Sequence, residues 1–194
     1  MEKGKIIFLN GVSSAGKTTL AKILQEKLPD LFLAFGADTF VYMAPTKYIN
    51  HKHPDCGTVI SKAVSIMPHT VKLFSDMGFN LIIDHVLGKP SAANNGAYEF
   101  VEPLHDYPVL FVHVTCPVEE LRRREEERGD RKIGQAENQL STLYPQDTYD
   151  LTVDTFRNST EECADKIIEL IDYPEKFTAF KTLWVKRTEE SNLT

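Results

Sequence analysis

The sequence predicts an α/β protein built on a parallel sheet, and three observations predict it. A short apolar run, Ile6-Ile7-Phe8-Leu9, leads directly into Gly11-Val12-Ser13-Ser14-Ala15-Gly16-Lys17-Thr18-Thr19. This is the Gly-x-x-x-x-Gly-Lys-Thr spacing of a phosphate-binding loop in its strand-before, helix-after setting. Further apolar runs of strand length follow at 31–35, 80–84 and 108–114, with helical patterns between them, as parallel sheets made of βαβ units require. The size agrees as well. A chain of 194 residues, 42% hydrophobic and 26% charged, suffices for one well-packed domain (1–194) and is short for two.

The totals exclude several classes of function. Twenty-eight acidic residues against 22 basic ones give a net charge of −6, whereas a protein gripping a nucleic-acid backbone usually carries a basic excess. The three cysteines, Cys56, Cys116 and Cys163, are odd in number and widely spaced. They form no zinc pattern and predict reduced thiols in the cytoplasm. Only four apolar residues follow the charged N-terminus, too few for a signal peptide or a membrane span. Neither nucleic acid nor membrane is expected as a partner, and the totals do not fix an oligomeric state.

The first strand and its loop carry the clearest chemistry. Gly11 and Gly16 let the backbone turn tightly and aim the N–H groups of residues 11–19 at phosphate oxygens. The helix that starts near Lys17 adds its positive N-terminal end. Lys17 reaches the β- and γ-phosphates, and the Thr18 hydroxyl holds Mg²⁺. Leu20, Ile23, Leu24 and Leu28 then recur at helical spacing until Pro29. The second strand, 31–35, stops at Gly36, and Asp38 follows at its carboxyl end. Ligands of open parallel sheets bind on that rim.

Residues 45–57 read as a polar, irregular loop with Pro45, Asn50, Pro54 and Gly57 as breakers. His51 and His53 lie in it without the companions a metal site needs. A helix is expected from Thr58 through Phe74, kinked or interrupted at Pro68. Asn80-Leu81-Ile82-Ile83-Asp84 is an apolar strand ending in a carboxylate, the pattern that supplies a magnesium-ordering acid next to a phosphate-binding loop. His85 beside it reads as a packing or hydrogen-bonding residue rather than a catalyst. After a loop at 88–96, a short helical piece carries Tyr98, Phe100, Val101 and Leu104.

The fourth strand, 108–114, is nearly all apolar. Cys116-Pro117 opens a helix whose run Leu121-Arg122-Arg123-Arg124-Glu125-Glu126-Glu127-Arg128-Gly129-Asp130-Arg131 pairs Glu120 with Arg124 and Glu127 with Arg131 at four-residue spacing. That spacing explains a solvated face, but not Gly129 between further arginines. Arg128 and Arg131 are therefore expected on a lid, about 124–143, that neutralises phosphate charge. Its returning helix is placed at 133–143. A fifth strand spans 149–155, and a capping box from Ser159 to Glu162 opens the next helix. Phe177, Phe180 and Trp184 mark a helical extension, about 173–194, that packs back on the domain or meets a partner.

The motifs, taken in order, resemble chloramphenicol phosphotransferase and its relatives. The resemblance is carried by Asn10-Gly11-Val12-Ser13-Ser14-Ala15-Gly16-Lys17, Leu33-Ala34-Phe35-Gly36-Ala37-Asp38-Thr39 and Ile82-Ile83-Asp84. Glu127-Arg128-Gly129-Asp130-Arg131 with Gly134, and Tyr149-Asp150-Leu151-Thr152-Val153-Asp154-Thr155, complete it. It implies a P-loop fold of the nucleoside-monophosphate-kinase type, a three-layer sandwich with a five-stranded parallel sheet in the order 2-3-1-4-5 and a helical lid. It implies ATP-dependent phosphorylation of a hydroxyl on a small molecule, with Asp38 as the base, and Mg²⁺ held by Thr18 and Asp84. Residues 45–57 and 89–104, where an acceptor would lie, do not resemble the chloramphenicol enzyme closely, and nothing beyond about Asp172 has a counterpart in it. Resistance to an antibiotic is one purpose of such an enzyme. A kinase of a sugar, a nucleotide-sugar or another metabolite, of the zeta-toxin, shikimate or gluconate type, stays open. So does a nucleotide-dependent switch, although the chain lacks the Asn-Lys-x-Asp segment of a GTPase.

Overall fold

The computed structural model describes residues 2–91, 95–129 and 133–192. Five strands form one sheet: β1 (Ile6–Asn10), β2 (Phe32–Gly36), β3 (Asn80–His85), β4 (Val109–Thr115) and β5 (Leu151–Asp154). Their order is β2-β3-β1-β4-β5, and every pairing is parallel, the order the resemblance implies. Helix α1 (Lys17–Lys27) follows β1. Between β2 and β3 run α2 (Ala37–Val41), α3 (Thr46–Ile49), α4 (Cys56–Val64) and α5 (Met67–Asp76). Helix α6 (Tyr98–Leu104) precedes β4. Helices α7 (Val118–Arg128) and α8 (Gln135–Leu140) lead to β5, and α9 (Thr160–Ile171) and α10 (Ala179–Ser191) complete the chain.

The central strands are apolar along most of their length because both faces of the sheet are covered. Along β1 the side chains alternate between two cores. Ile7 and Leu9 join Leu20 and Leu24 of α1 and Ile167 of α9. Ile6 and Phe8 join Val71 of α5, Phe100 of α6 and Phe180 of α10. Helices thus lie on both sides, giving three layers. Parallel strands put all their carboxyl ends on one rim, and β1 and β3 run side by side with Leu9 opposite Asp84.

Several boundaries differ from the sequence reading. The stretch 45–57 is not irregular throughout, since it contains α3 and the first two residues of α4. The helix expected across Thr58 to Phe74 is two helices, broken at Ser65 and Ile66. Pro68 lies in the first turn of α5, where its missing N–H costs nothing. The returning helix is confined to Gln135–Leu140, opened by Gly134 at φ 84°. Strand β5 is shorter than 149–155, because a 3-10 turn at Gln146–Thr148 brings the chain in and strand pairing starts at Leu151. Gly129 ends α7 at φ 65° as expected, and the Ser159–Glu162 capping box forms. Helix α10 packs back on the domain, with Phe180 and Leu183 each 2% exposed.

Candidate active site

The phosphate-binding loop is fixed by packing below and by hydrogen bonds at its edges. A Cβ on Gly11 would lie 2.2 Å from the Val114 carbonyl oxygen, so β4 passes too close for any side chain there. Val12 and Ala15 are buried in the core beneath the loop. Ser14 at φ 61° and Gly16 at φ 93° turn the backbone through left-handed conformations, which point successive N–H groups into one concavity. Asn10, fully buried, donates from Nδ2 to the Leu87 carbonyl and the Tyr149 hydroxyl, both at 2.9 Å, and accepts the Leu87 N–H at 2.7 Å. The loop's entry is thereby tied to the chain after β3 and to the start of β5.

Lys17 and Thr18, in the first turn of α1, meet the end of β3. The Thr18 hydroxyl donates to Asp84 Oδ2 at 2.6 Å, and Lys17 Nζ stands 3.6 Å from Asp84 Oδ1. Lys17 also donates to the Val12 carbonyl at 3.0 Å, across the loop. Burial and the neighbouring ammonium push His85 down to about 4, so its ring is neutral near pH 7. It leans on Phe100 at 5.5 Å, the packing role expected of it. Hydroxyl and carboxylate oxygens are the hard donors Mg²⁺ takes, and that ion needs few protein ligands beside phosphates and water. Thr18 and Asp84 fit it. No group of three metal-binding side chains occurs among the described residues.

A cleft of about 710 Å³ opens over this rim, lined by Ser13, Ser14, Gly16, Lys17, Thr18, Thr19, Asp38, Asp84 and Arg128. Asp38 stands in the first turn of α2, two residues beyond the strand end. Its approach depends on Gly36, where a Cβ would fall 2.5 Å from the Asp84 carbonyl oxygen. Arg128 reaches the cleft from the last turn of α7. Arg131 lies outside the described residues. His51 is exposed, and His53 accepts the Asp55 N–H within its own loop. Neither lines the cleft.

Further side chains organise the edge of this region, and their spacing does not reveal these contacts. Arg124 pairs with Glu120 at 2.8 Å, as the four-residue spacing predicts. Its guanidinium also donates to the Ser14 carbonyl at 3.3 Å and to the Thr155 hydroxyl and carbonyl, each at 3.1 Å. Thr155 in turn donates to the Ala15 carbonyl at 2.8 Å, so α7 and β5 brace the loop's outer edge. Glu125, 1% exposed, accepts the N–H groups of Gly134 and Ala136 at 2.8 and 2.7 Å. Gln139 accepts the Ser13 N–H at 2.7 Å. Glu127 pairs with Arg123.

Comparison with known proteins identifies the family and the fold. The sequence model of the chloramphenicol phosphotransferase-like proteins matches residues 4–172. A provisionally named O-phosphotransferase of Mycobacterium tuberculosis is 26% identical over 207 residues, spanning 93% of this chain and 89% of its own. Among solved structures, an APS kinase of Mycobacterium tuberculosis in complex with AMPPNP and APS superposes with a TM-score of 0.64 at 17% identity. It covers 89% of this chain and 99% of its own. A shikimate kinase of Acinetobacter baumannii in complex with shikimate gives 0.61 at 18% identity, covering 88% and 94%. The two structures share the P-loop kinase fold.

Proposed function

The chain belongs to the chloramphenicol phosphotransferase-like family, and from that premise we propose that this small-molecule kinase transfers the terminal phosphoryl group of ATP to a hydroxyl of its acceptor. One observation carries the reading: Lys17, Thr18, Asp84, Asp38 and Arg128 all line a single cleft. The residues that suit a triphosphate and the acid that suits a hydroxyl therefore share one space. Lys17 spans the β- and γ-phosphates, and N–H groups at the end of the loop and in the first turn of α1 hold them. Thr18 and Asp84 would hold Mg²⁺, whose charge offsets that of the phosphates. Asp38 orients the acceptor hydroxyl and takes its proton as the new P–O bond forms and the bond to the β–γ bridging oxygen breaks. Arg128, with Arg131, neutralises phosphate charge from a lid at about 124–143. We assign 1–194 to one kinase domain, with 173–194 as its helical extension.

We place the acceptor against residues 45–57 and 89–104. Proteins similar to this chain include sugar, shikimate and adenylyl-sulfate kinases. Incubation of the protein with γ-labelled ATP and a panel of antibiotics, sugars and nucleosides tests the reading. Asp38→Asn is expected to keep ATP affinity while transfer falls about 10²–10⁴-fold, the usual worth of a positioned general base. Near-wild-type transfer by that variant removes Asp38 from the role. Lys17→Ala is expected to weaken nucleotide binding itself, read by titration with a fluorescent ATP analogue. A protein that binds ATP but labels nothing in the panel is better read as a switch.

A further inference from the structure

The reaction as described gives Gln139 no task, yet its side chain is placed with care. It projects from α8, half-buried, into the lining of the cleft that holds Lys17, Asp84 and Arg128. Its Oε1 accepts the Ser13 N–H at 2.7 Å. Ser13 is the third residue of the phosphate-binding loop, and the peptide it shares with Val12 is engaged at both ends. The Val12 carbonyl accepts Lys17 Nζ at 3.0 Å, so Gln139 and the lysine assigned to the β- and γ-phosphates grip one peptide plane.

A carboxamide has one accepting oxygen and a separate group with two N–H donors. With Oε1 committed to Ser13, the donor end is what Gln139 can offer a ligand in the cleft. The oxygens of a triphosphate are acceptors and nothing else. The helix that carries Gln139 is also held in place. Glu125 accepts two N–H groups from its N-terminal end, and Arg122 grips Glu137 through both carboxylate oxygens at 2.7 and 2.8 Å. The donor is thus preorganised, which is what a transferring phosphoryl group requires of its surroundings.

We propose that Gln139 is a further catalytic residue: it bridges the Ser13 N–H and the terminal phosphoryl group, accepting from the first and donating through Nε2 to the second. The inference rests on the reading of the cleft as an ATP site. It makes the lid-side helix α8, as well as the loop and the arginines, a sensor of whether a third phosphate is present.

Calorimetric titration with ADP and with the non-hydrolysable triphosphate AMPPNP, both with magnesium, tests it without an acceptor. In Gln139→Leu, ADP affinity should stay within about twofold while AMPPNP weakens roughly tenfold or more, the worth of one hydrogen bond to a charged group. Gln139→Glu keeps an acceptor for the Ser13 N–H, and so keeps α8 docked, but it loses the donor and adds a negative charge. It should lose AMPPNP at least as severely, and it preserves the test if the leucine variant fails to fold. Equal weakening of both nucleotides in the leucine variant with wild-type binding in the glutamate variant would mean that Gln139 only docks the helix. Unchanged binding overturns the inference. Tighter AMPPNP binding by Gln139→Leu overturns it too, since Gln139 would then be a plug that competes with phosphate for Ser13. If the wild-type protein binds neither nucleotide, the ATP reading falls, and the inference falls with it.

Discussion

His113 sits in β4 with 7% of its surface exposed, its ring stacked at 4.7 Å on Tyr149. Its Nδ1 has no hydrogen-bond partner among the described residues. Burial alone pushes its imidazole below the usual 6.5, so the folded protein holds it neutral where the unfolded chain would protonate it. The sign follows from proton linkage: the unfolded state binds more protons below about 6.5, so acidification drains stability. His85 acts in the same direction, over a window from 6.5 down to about 4. Urea midpoints should therefore fall between pH 7.5 and 5.5, above the range where ordinary carboxylates titrate. In His113→Phe that slope should flatten, and parallel slopes for the two proteins would acquit His113. Legibility at this scale divides by sequence distance. Lys17, Thr18 and Asp84 could be read because a fixed spacing and a strand end place them. Arg124 and Gln139 could not, since each reaches the loop across more than a hundred residues and their neighbours in sequence resemble any solvated helix.

At the scale of elements, the α7–α8 pair shows why a run of charges hides its own organisation. Leu121 and Glu125 are the buried residues of α7, one turn apart on a helix otherwise covered in ion pairs. Helical periodicity identifies Leu121 as inward-facing but cannot say that a carboxylate beside it is meant for the next helix. Glu125 turns inward because the first N–H groups of α8 have no partners within that helix, and its two oxygens supply them. Arg123 and Arg124 meanwhile hold Glu120 down at about 2, and Glu120 in turn steadies the Arg124 that braces the loop. The two classes of acid should respond differently to mutation. Glu125→Gln can accept only one of the two N–H groups, leaving the other unpartnered at a cost of about 1–3 kcal/mol. Glu120→Gln leaves both amides of α8 paired and should cost less than Glu125→Gln. Hydrogen exchange adds a local readout. The amides of Gly134 and Ala136 should lose protection in Glu125→Gln while those of β1 keep theirs, and uniform loss across the molecule would instead mark a global effect.

For the whole molecule, the last helix is structural to the active site although it touches none of it. Asp150, just before β5, accepts the N–H groups of Thr178 and Ala179 on one oxygen, at 2.7 and 2.9 Å, and the Phe111 N–H on the other at 2.8 Å. Burial pushes this carboxyl up while those donors pull it back down. Thirteen residues of α10 are thereby launched across the sheet, and Phe180 reaches Phe8 and Phe111 with ring centroids 5.9 and 5.1 Å apart. Phe8 belongs to β1, the strand that delivers the phosphate-binding loop, and Phe111 to β4 beside it. The fold class was legible from strands and loop, but not which way this extension would go, because Phe177, Phe180 and Trp184 at helical spacing suit a core and an interface equally. Only the cavity left by the other elements decides between them. Phe180→Ala should accordingly cost about 3–5 kcal/mol, the range for truncating a buried aromatic ring. Asp150→Ala should cost less, and the two losses should not add, since both act by releasing one helix. Denaturant melts of the two single variants and the double variant measure that coupling directly. Additive losses would mean that α10 is held by independent contacts, and a loss under 1 kcal/mol for Phe180→Ala would mean that the helix is not part of the core at all.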